Sequence, residues 1–253
     1  MKKIFLASDL GCSIKINGVR FSKEMDNTNG VVNQIKDYLT GNNKMVFLVS
    51  DPNDHEKNEA YAKRTFDSFS KSGIIFENKI LINGKYQGNI VEEIKTSDLV
   101  FLSGGKTEVQ MKFFEYIGLK EILKDYNGLI IGQSAGALNL ATNVLCSPEE
   151  EEEIGKNYKW SGLGKTNINI EPHFVLNVVN ELDIKLREEL LKISSEKRIY
   201  AICDGTHIFI DDVSAKLFGE AYLIENGNIT KINDNHIELD ITPIQANSNK
   251  KLF

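Results

Sequence analysis

Ser134 stands between two glycines, each two positions away, in Leu129-Ile130-Ile131-Gly132-Gln133-Ser134-Ala135-Gly136-Ala137-Leu138. A short apolar run, read as a buried strand over Leu129–Ile131, passes into small residues and then into a segment of helical character. This is the context a nucleophile elbow requires, because a serine on a sharp strand-to-helix turn projects its Oγ from the carboxyl edge of a sheet. Gly132 and Gly136 let the chain reverse tightly around a strained serine and leave room for a substrate. The positive end of the following helix would lie behind the hydroxyl. The same five residues also suit a turn that only packs a helix closely on its strand, so the surrounding sequence has to decide.

One strand earlier, Val100-Phe101-Leu102-Ser103-Gly104-Gly105-Lys106-Thr107 again ends an apolar run in glycines. If the two strands are neighbours, the backbone N–H of Gly105 and that of Ala135 form an oxyanion hole, worth about 3 kcal/mol per donor. Gly105-Lys106-Thr107 also matches the end of a phosphate-binding loop, but Val100 stands where that motif needs its first glycine. A serine nucleophile needs a base. The histidines are His55, His173, His207 and His236, and His173 alone follows a strand in a Pro-His-Phe setting that places a side chain at the sheet's carboxyl edge. His55 and His236 are read as solvated in polar loops, and His207, after Asp204, is the internal competitor.

Taken together, Ser103-Gly104-Gly105-Lys106-Thr107, Gly132-Gln133-Ser134-Ala135-Gly136-Ala137 and Ile170-Glu171-Pro172-His173-Phe174 resemble the dipeptidase E family of serine peptidases, which also includes the cyanophycinases. The similarity spans roughly Val100 to Ile210. It implies a fold like that of class I glutamine amidotransferases, with serine in place of their cysteine, and hydrolysis of peptide bonds that follow an aspartate. Carried over by position, Ser134 is the nucleophile and His173 the base. Asp204, an acid followed by glycine, corresponds to the third triad member, with Glu149 as the rival position. Glu149 also belongs to an acidic run, Glu149–Glu153, that reads most simply as a solvated loop. Arg187 falls where the family carries an arginine linked to recognition of the substrate's acidic side chain, and a guanidinium suits a bidentate carboxylate clamp. The alternatives are a related serine hydrolase acting on another small amide or ester, and a non-catalytic or regulatory protein that keeps the amidotransferase-like fold.

The elements that must position these residues follow from hydrophobic pattern. Apolar runs at Lys3–Ala7, Met45–Ser50, Gly73–Phe76, Leu99–Leu102 and Leu129–Ile131 predict strands, and Glu56–Ser72, Gly88–Lys95 and Thr107–Lys124 predict helices between them. In the last helix Val109, Phe113, Tyr116, Ile117 and Leu123 form the face expected to pack on the sheet. Further on, Asn167–Ile170 and Arg198–Ile202 read as strands flanking the helix Asp183–Lys197. Glu225-Asn226-Gly227-Asn228 marks a hairpin turn within Leu217–Ile232, so antiparallel strands are expected near the C-terminus. The fold class is therefore α/β, a three-layer sandwich with a mostly parallel central sheet and helices on both faces. One domain is expected over residues 1–253, with a core to 244 and a polar, frayed tail from Gln245.

The 253 residues, 41% hydrophobic and 26% charged, suit a soluble globular chain, and a net charge of -6 would repel a phosphate backbone, so no nucleic-acid partner is expected. No run approaches the roughly 18 apolar residues of a membrane span, and the apolar start ends at Asp9, short of a secretory signal. Scattered Cys12, Cys146 and Cys203 fit a reducing cytoplasm without metal-ligand spacing. The expected partner is a small peptide substrate, with no metal or organic cofactor, and an exposed helix face or hairpin edge would support a homodimer.

Overall fold

The computed structural model describes residues 2–148, 150–156 and 159–243. The chain begins with β1 (Ile4–Ala7), a hairpin of β2 (Ser13–Ile16) and β3 (Val19–Ser22), and the helix α1 (Val31–Tyr38). Then follow β4 (Lys44–Leu48), α2 (His55–Lys71), β5 (Asn78–Ile82), α3 (Ile90–Lys95), β6 (Leu99–Leu102), α4 (Thr107–Tyr116), α5 (Leu119–Ile122), β7 (Leu129–Gln133) and α6 (Ala135–Asn139). The second half holds β8 (Asn143–Leu145), β9 (Lys159–Ser161), β10 (Asn169–Glu171), α7 (Glu181–Ile193), β11 (Ile199–Ile202), β12 (His207–Ile210), β13 (Ala215–Phe218), β14 (Ala221–Glu225), β15 (Asn228–Asn233) and β16 (Glu238–Asp240).

The central sheet has the order β16-β13-β12-β1-β7-β6-β4-β5. From β1 to β5 across that order every pairing is parallel, whereas β12, β13 and β16 pair antiparallel. β1, β6 and β7 are buried at every position, which is why they read as unbroken apolar runs: strands covered on both faces have no solvent side to mark. The architecture is mixed α/β with a large, mostly parallel central sheet, packed helices and antiparallel strands toward the C-terminus.

A four-stranded sheet, β10-β11-β14-β15, carries the rest of the site. β10 and β11 pair parallel, in the register Ile170↔Tyr200 and Glu171↔Ala201, with α7 as their crossover. α7 starts at Asn180, whose side chain accepts from the N–H of Asp183, and lays Leu190 on a small cluster with Phe174, Ile199 and Tyr222. Asn226 and Gly227 both take positive φ (51° and 75°), as a two-residue hairpin between β14 and β15 demands.

Three local expectations are corrected. Gly73–Phe76 forms no strand; Ile74 and Phe76 are buried plugs beyond the end of α2, and pairing with β4 begins only at Asn78. The segment Thr107–Lys124 breaks into α4, α5 and a short 3₁₀ turn, because Gly118 takes φ 67°, and Tyr116 lies 88% exposed instead of facing the sheet. The hairpin β14–β15 belongs to the second sheet and not to the central one. Glu149 and the tail from Gln245 lie outside the described residues. Among the described residues no helix is long and apolar enough to cross a membrane.

Candidate active site

Ser134 joins β7 to α6 with φ 50° and ψ −115°, a backbone state that costs a side-chain-bearing residue about 1–3 kcal/mol and persists only where its surroundings enforce it. They do so from both sides. Its N–H donates to the Ala7 carbonyl at 2.9 Å, extending the β1–β7 ladder, and its own carbonyl accepts from Ala137 and Leu138 at 2.9 and 3.0 Å, starting α6. The glycines allow the close approach this needs: a Cβ on Gly136 would fall 2.2 Å from the Leu102 carbonyl oxygen, and one on Gly132 2.7 Å from the Ala137 backbone. Across the neighbouring strand end, Gly105 takes φ 142°, and a Cβ there would meet the Ser50 hydroxyl at 1.9 Å. β6 and β7 are direct neighbours, with Leu102 opposite Gly132, as the placement of the two glycine turns anticipated. The N–H of Ala135, at the first position of α6, has no acceptor within its own helix.

His173 follows β10 on a turn of its own, with φ 56°. Asp204 follows β11, so the parallel pairing of the two strands brings them side by side, with His173 Nδ1 at 2.7 Å from Asp204 Oδ1. Buried Ser8, just past the end of β1, ties this pair to the central sheet: its hydroxyl donates to Asp204 Oδ1 at 2.8 Å and accepts the His173 backbone N–H at 2.7 Å. The His173 hydrogen bond first, then the Ser8 hydroxyl, holds the Asp204 carboxyl below the usual range against the opposing effect of partial burial. Ser134 and His173 both line a cleft of about 690 Å³ and a second cavity of about 300 Å³, so the hydroxyl and the imidazole stand at their junction.

Residues 17–218 match the model of peptidase family S51. The chain belongs to that family. Family membership makes it a serine peptidase of the peptidase E type. Among solved structures, the fold is similar to a peptidase from an acI-B1 Actinobacterium (TM-score 0.66, 14% identity, covering 94% of this chain and 96% of that one). A putative peptidase E protein from Listeria monocytogenes EGD-e is also similar (TM-score 0.58, 19% identity, 86% and 98%). At these identities the likeness establishes the fold alone. No curated protein matches the chain.

In this S51 peptidase, Arg187 lines the larger cleft. Its guanidinium lies 4.2 Å from the centre of the Phe174 ring and donates to the carbonyls of Val175 (2.5 Å) and Leu176 (3.4 Å). These contacts aim it while leaving further donors of its fork available. The competing histidines stand elsewhere. His207 is buried in β12, stacked on Phe218 and bonded through Nε2 to Gln34 at 3.1 Å, and it lines neither cavity. His55 opens α2 instead of lying in a loop, and His236 makes a 2.9 Å contact from Nδ1 to the Thr28 carbonyl.

Sequence reasoning missed Ser8, and also the residues around the smaller cavity: Arg20, Arg64, Tyr61 and Gln133. The stretch after Ser8 holds the β2–β3 hairpin, which hydrophobic pattern had not been read for. The signal for it was present: Asn17-Gly18, with φ 49° and 83°, separates the alternating Ser13–Ile16 and Val19–Ser22. Ser8 left no such trace, because one polar residue at a strand end has no periodicity.

Proposed function

We propose that the chain hydrolyses short peptides, preferentially dipeptides with an N-terminal aspartate, through an acyl-enzyme on Ser134. The observation that carries this reading is the convergence of an elbow serine and a carboxylate-bound histidine on one cleft. Asp204 accepts the Nδ1 proton of His173, which leaves Nε2 to take the Ser134 proton as Oγ bonds to the scissile carbonyl carbon. The oxyanion that forms is held by the N–H groups of Gly105 and Ala135. Collapse breaks the C–N bond, and His173 returns its proton to the departing amine. Water then attacks the ester with His173 again as base, and Ser134 is restored. The chemistry calls for no metal or organic cofactor. The Asp204 contact favours it over Glu149 as the orienting acid. Arg187 receives the substrate's acidic side chain in the larger cleft, and the wide scatter of Cys12, Cys146 and Cys203 along the sequence suits a cytoplasmic setting.

The test is turnover of Asp-Xaa dipeptides and chromogenic Asp amides against Ala-Xaa and Glu-Xaa controls, with wild type and Ser134→Ala side by side. Hydrolysis confined to Asp substrates and abolished in the variant is expected. Turnover restricted to the controls would retain the mechanism and discard the aspartate preference; full activity in Ser134→Ala would discard the mechanism.

A further inference from the structure

The smaller cavity opens on Ser134 and His173 from the side of α2 and the β2–β3 hairpin, away from Arg187, which lines only the larger cleft. Its cations are Arg20 on β3, Arg64 on α2 and Lys57; its acids are Asp9, Asp51 and Asp54. The acids are engaged locally. Asp51 accepts the Asn53 N–H at 3.0 Å, Asp9 accepts the Gly11 N–H at 2.9 Å, and Asp54 lies 3.9 Å from Lys57. The arginines are not so compensated. Among the described residues neither forms an ion pair; Arg20 reaches only the Ser13 hydroxyl at 3.4 Å, and Arg64 is weakened as a proton holder by partial burial and then by the charge of Arg20. Two guanidinium groups repelling each other beside a nucleophile call for an anion between them.

Resting on the peptidase reading above, we propose that this cavity is the leaving-group subsite and that Arg20 and Arg64 clamp the free α-carboxylate at the peptide's C-terminus. The geometry of a dipeptide fits. Only the amide nitrogen and one Cα separate the scissile carbonyl carbon from the terminal carboxylate, a span of roughly 4 Å. A cavity of about 300 Å³ holds one residue and little more. The acyl side is read by Arg187 and the terminal carboxylate by the arginine pair, so the enzyme senses both the acidic side chain and the end of the chain. This exopeptidase ruler is built from elements outside the motifs that carry the nucleophile and base.

The experiment compares kcat/KM for Asp-Ala, its C-terminal amide and Asp-Ala-Ala in wild type, Arg64→Gln and Arg64→Lys. The wild type should prefer the free dipeptide over its amide by roughly ten- to a hundredfold, the scale of a charge-assisted hydrogen bond. Arg64→Gln should bring that ratio near one, with Arg64→Lys between. Equal rates on acid and amide in wild type would overturn the proposal, as would an Arg64→Gln variant in which both rates fall together and the ratio stands. A change in Asp-against-Ala preference at the N-terminus would also overturn it, by making this cavity the acyl side. If Arg64→Gln does not fold, Arg20→Gln, on the exposed hairpin, carries the same ratio test. Absence of turnover on every peptide would bring down the parent reading, whereas turnover that ignores the carboxylate brings down this inference alone.

Discussion

Ser134 rises from an eight-stranded sheet in which β7 and both its neighbours are buried at every residue, whereas His173 and Asp204 follow strands of a smaller sheet, with side chains 47% and 60% exposed. One face of that smaller sheet joins the main core through Ile170, Tyr200 and Ile202; the other, with Ile199 and Ala201, is covered by α7 through Leu190. The difference follows from what each half must do. The serine has to be kept in a costly backbone state, which needs packing on all sides. In the proposed mechanism the imidazole accepts and returns protons beside an open cleft, oriented by Asp204 at its ring and by Ser8 at the backbone N–H of His173 instead of by burial.

If that contrast is right, damage on the smaller sheet costs activity and damage at the elbow costs stability. The largest effect is expected from Asp204→Asn, which should lower kcat by about 10²–10⁴-fold by spoiling the imidazole's orientation and charge balance, with the thermal midpoint little moved. Steady-state kinetics beside a melting curve read both; a large fall in midpoint would blur the contrast. Gly136→Ala should do the reverse in kind, destabilising by about 1–3 kcal/mol in urea unfolding because its methyl would strike the Leu102 carbonyl. Ser8→Ala probes the link between the sheets. It removes a hydroxyl from Asp204 and an acceptor from the His173 N–H, and should reduce kcat about tenfold at nearly constant KM, with Ser8→Thr restoring most of it.

The smallest effect at neutral pH concerns His207, the histidine on the rigid side. Burial pushes its pKa down to about 3, so from pH 6.5 downward the unfolded chain takes up a proton that the folded one refuses. Stability should therefore be complete above pH 6.5 and fall as the pH drops toward 3, with a slope approaching about 1.4 kcal/mol per unit. His207→Gln should flatten that dependence in urea titrations between pH 6.5 and 5, and an unchanged slope would assign the acid sensitivity to other groups.

The rigid half was the more legible from sequence. Leu99–Leu102 and Leu129–Ile131 announced themselves as strands because burial on both faces forbids polar residues, and the glycines around Ser134 mark space that no side chain can enter. His173 was singled out by its setting after a strand, and it does follow β10. The split into two sheets was not legible, since hydrophobic pattern gives a strand's faces and not its partners: nothing in Ala221–Glu225 states that it pairs with β11 instead of β13. The acid was open between Asp204 and Glu149 for the same reason, because only the β10–β11 pairing brings positions 31 residues apart into contact. Arg20 and Arg64 were missed because a cavity wall assembled from a hairpin and a helix has no linear signature.

Arg187 rides on the crossover between the two strands that hold His173 and Asp204. Strand pairing clamps both ends of that βαβ unit, while the helix between them turns about 100° for each residue gained or lost. An insertion or deletion in the loop before α7 would thus swing the guanidinium out of the cleft and present another side chain, with the proton-transfer pair left in place. On the proposed reading of these residues, substrate choice and bond-breaking are in this way uncoupled within a single supersecondary unit, which gives descent a simple route to new diets on an old machine.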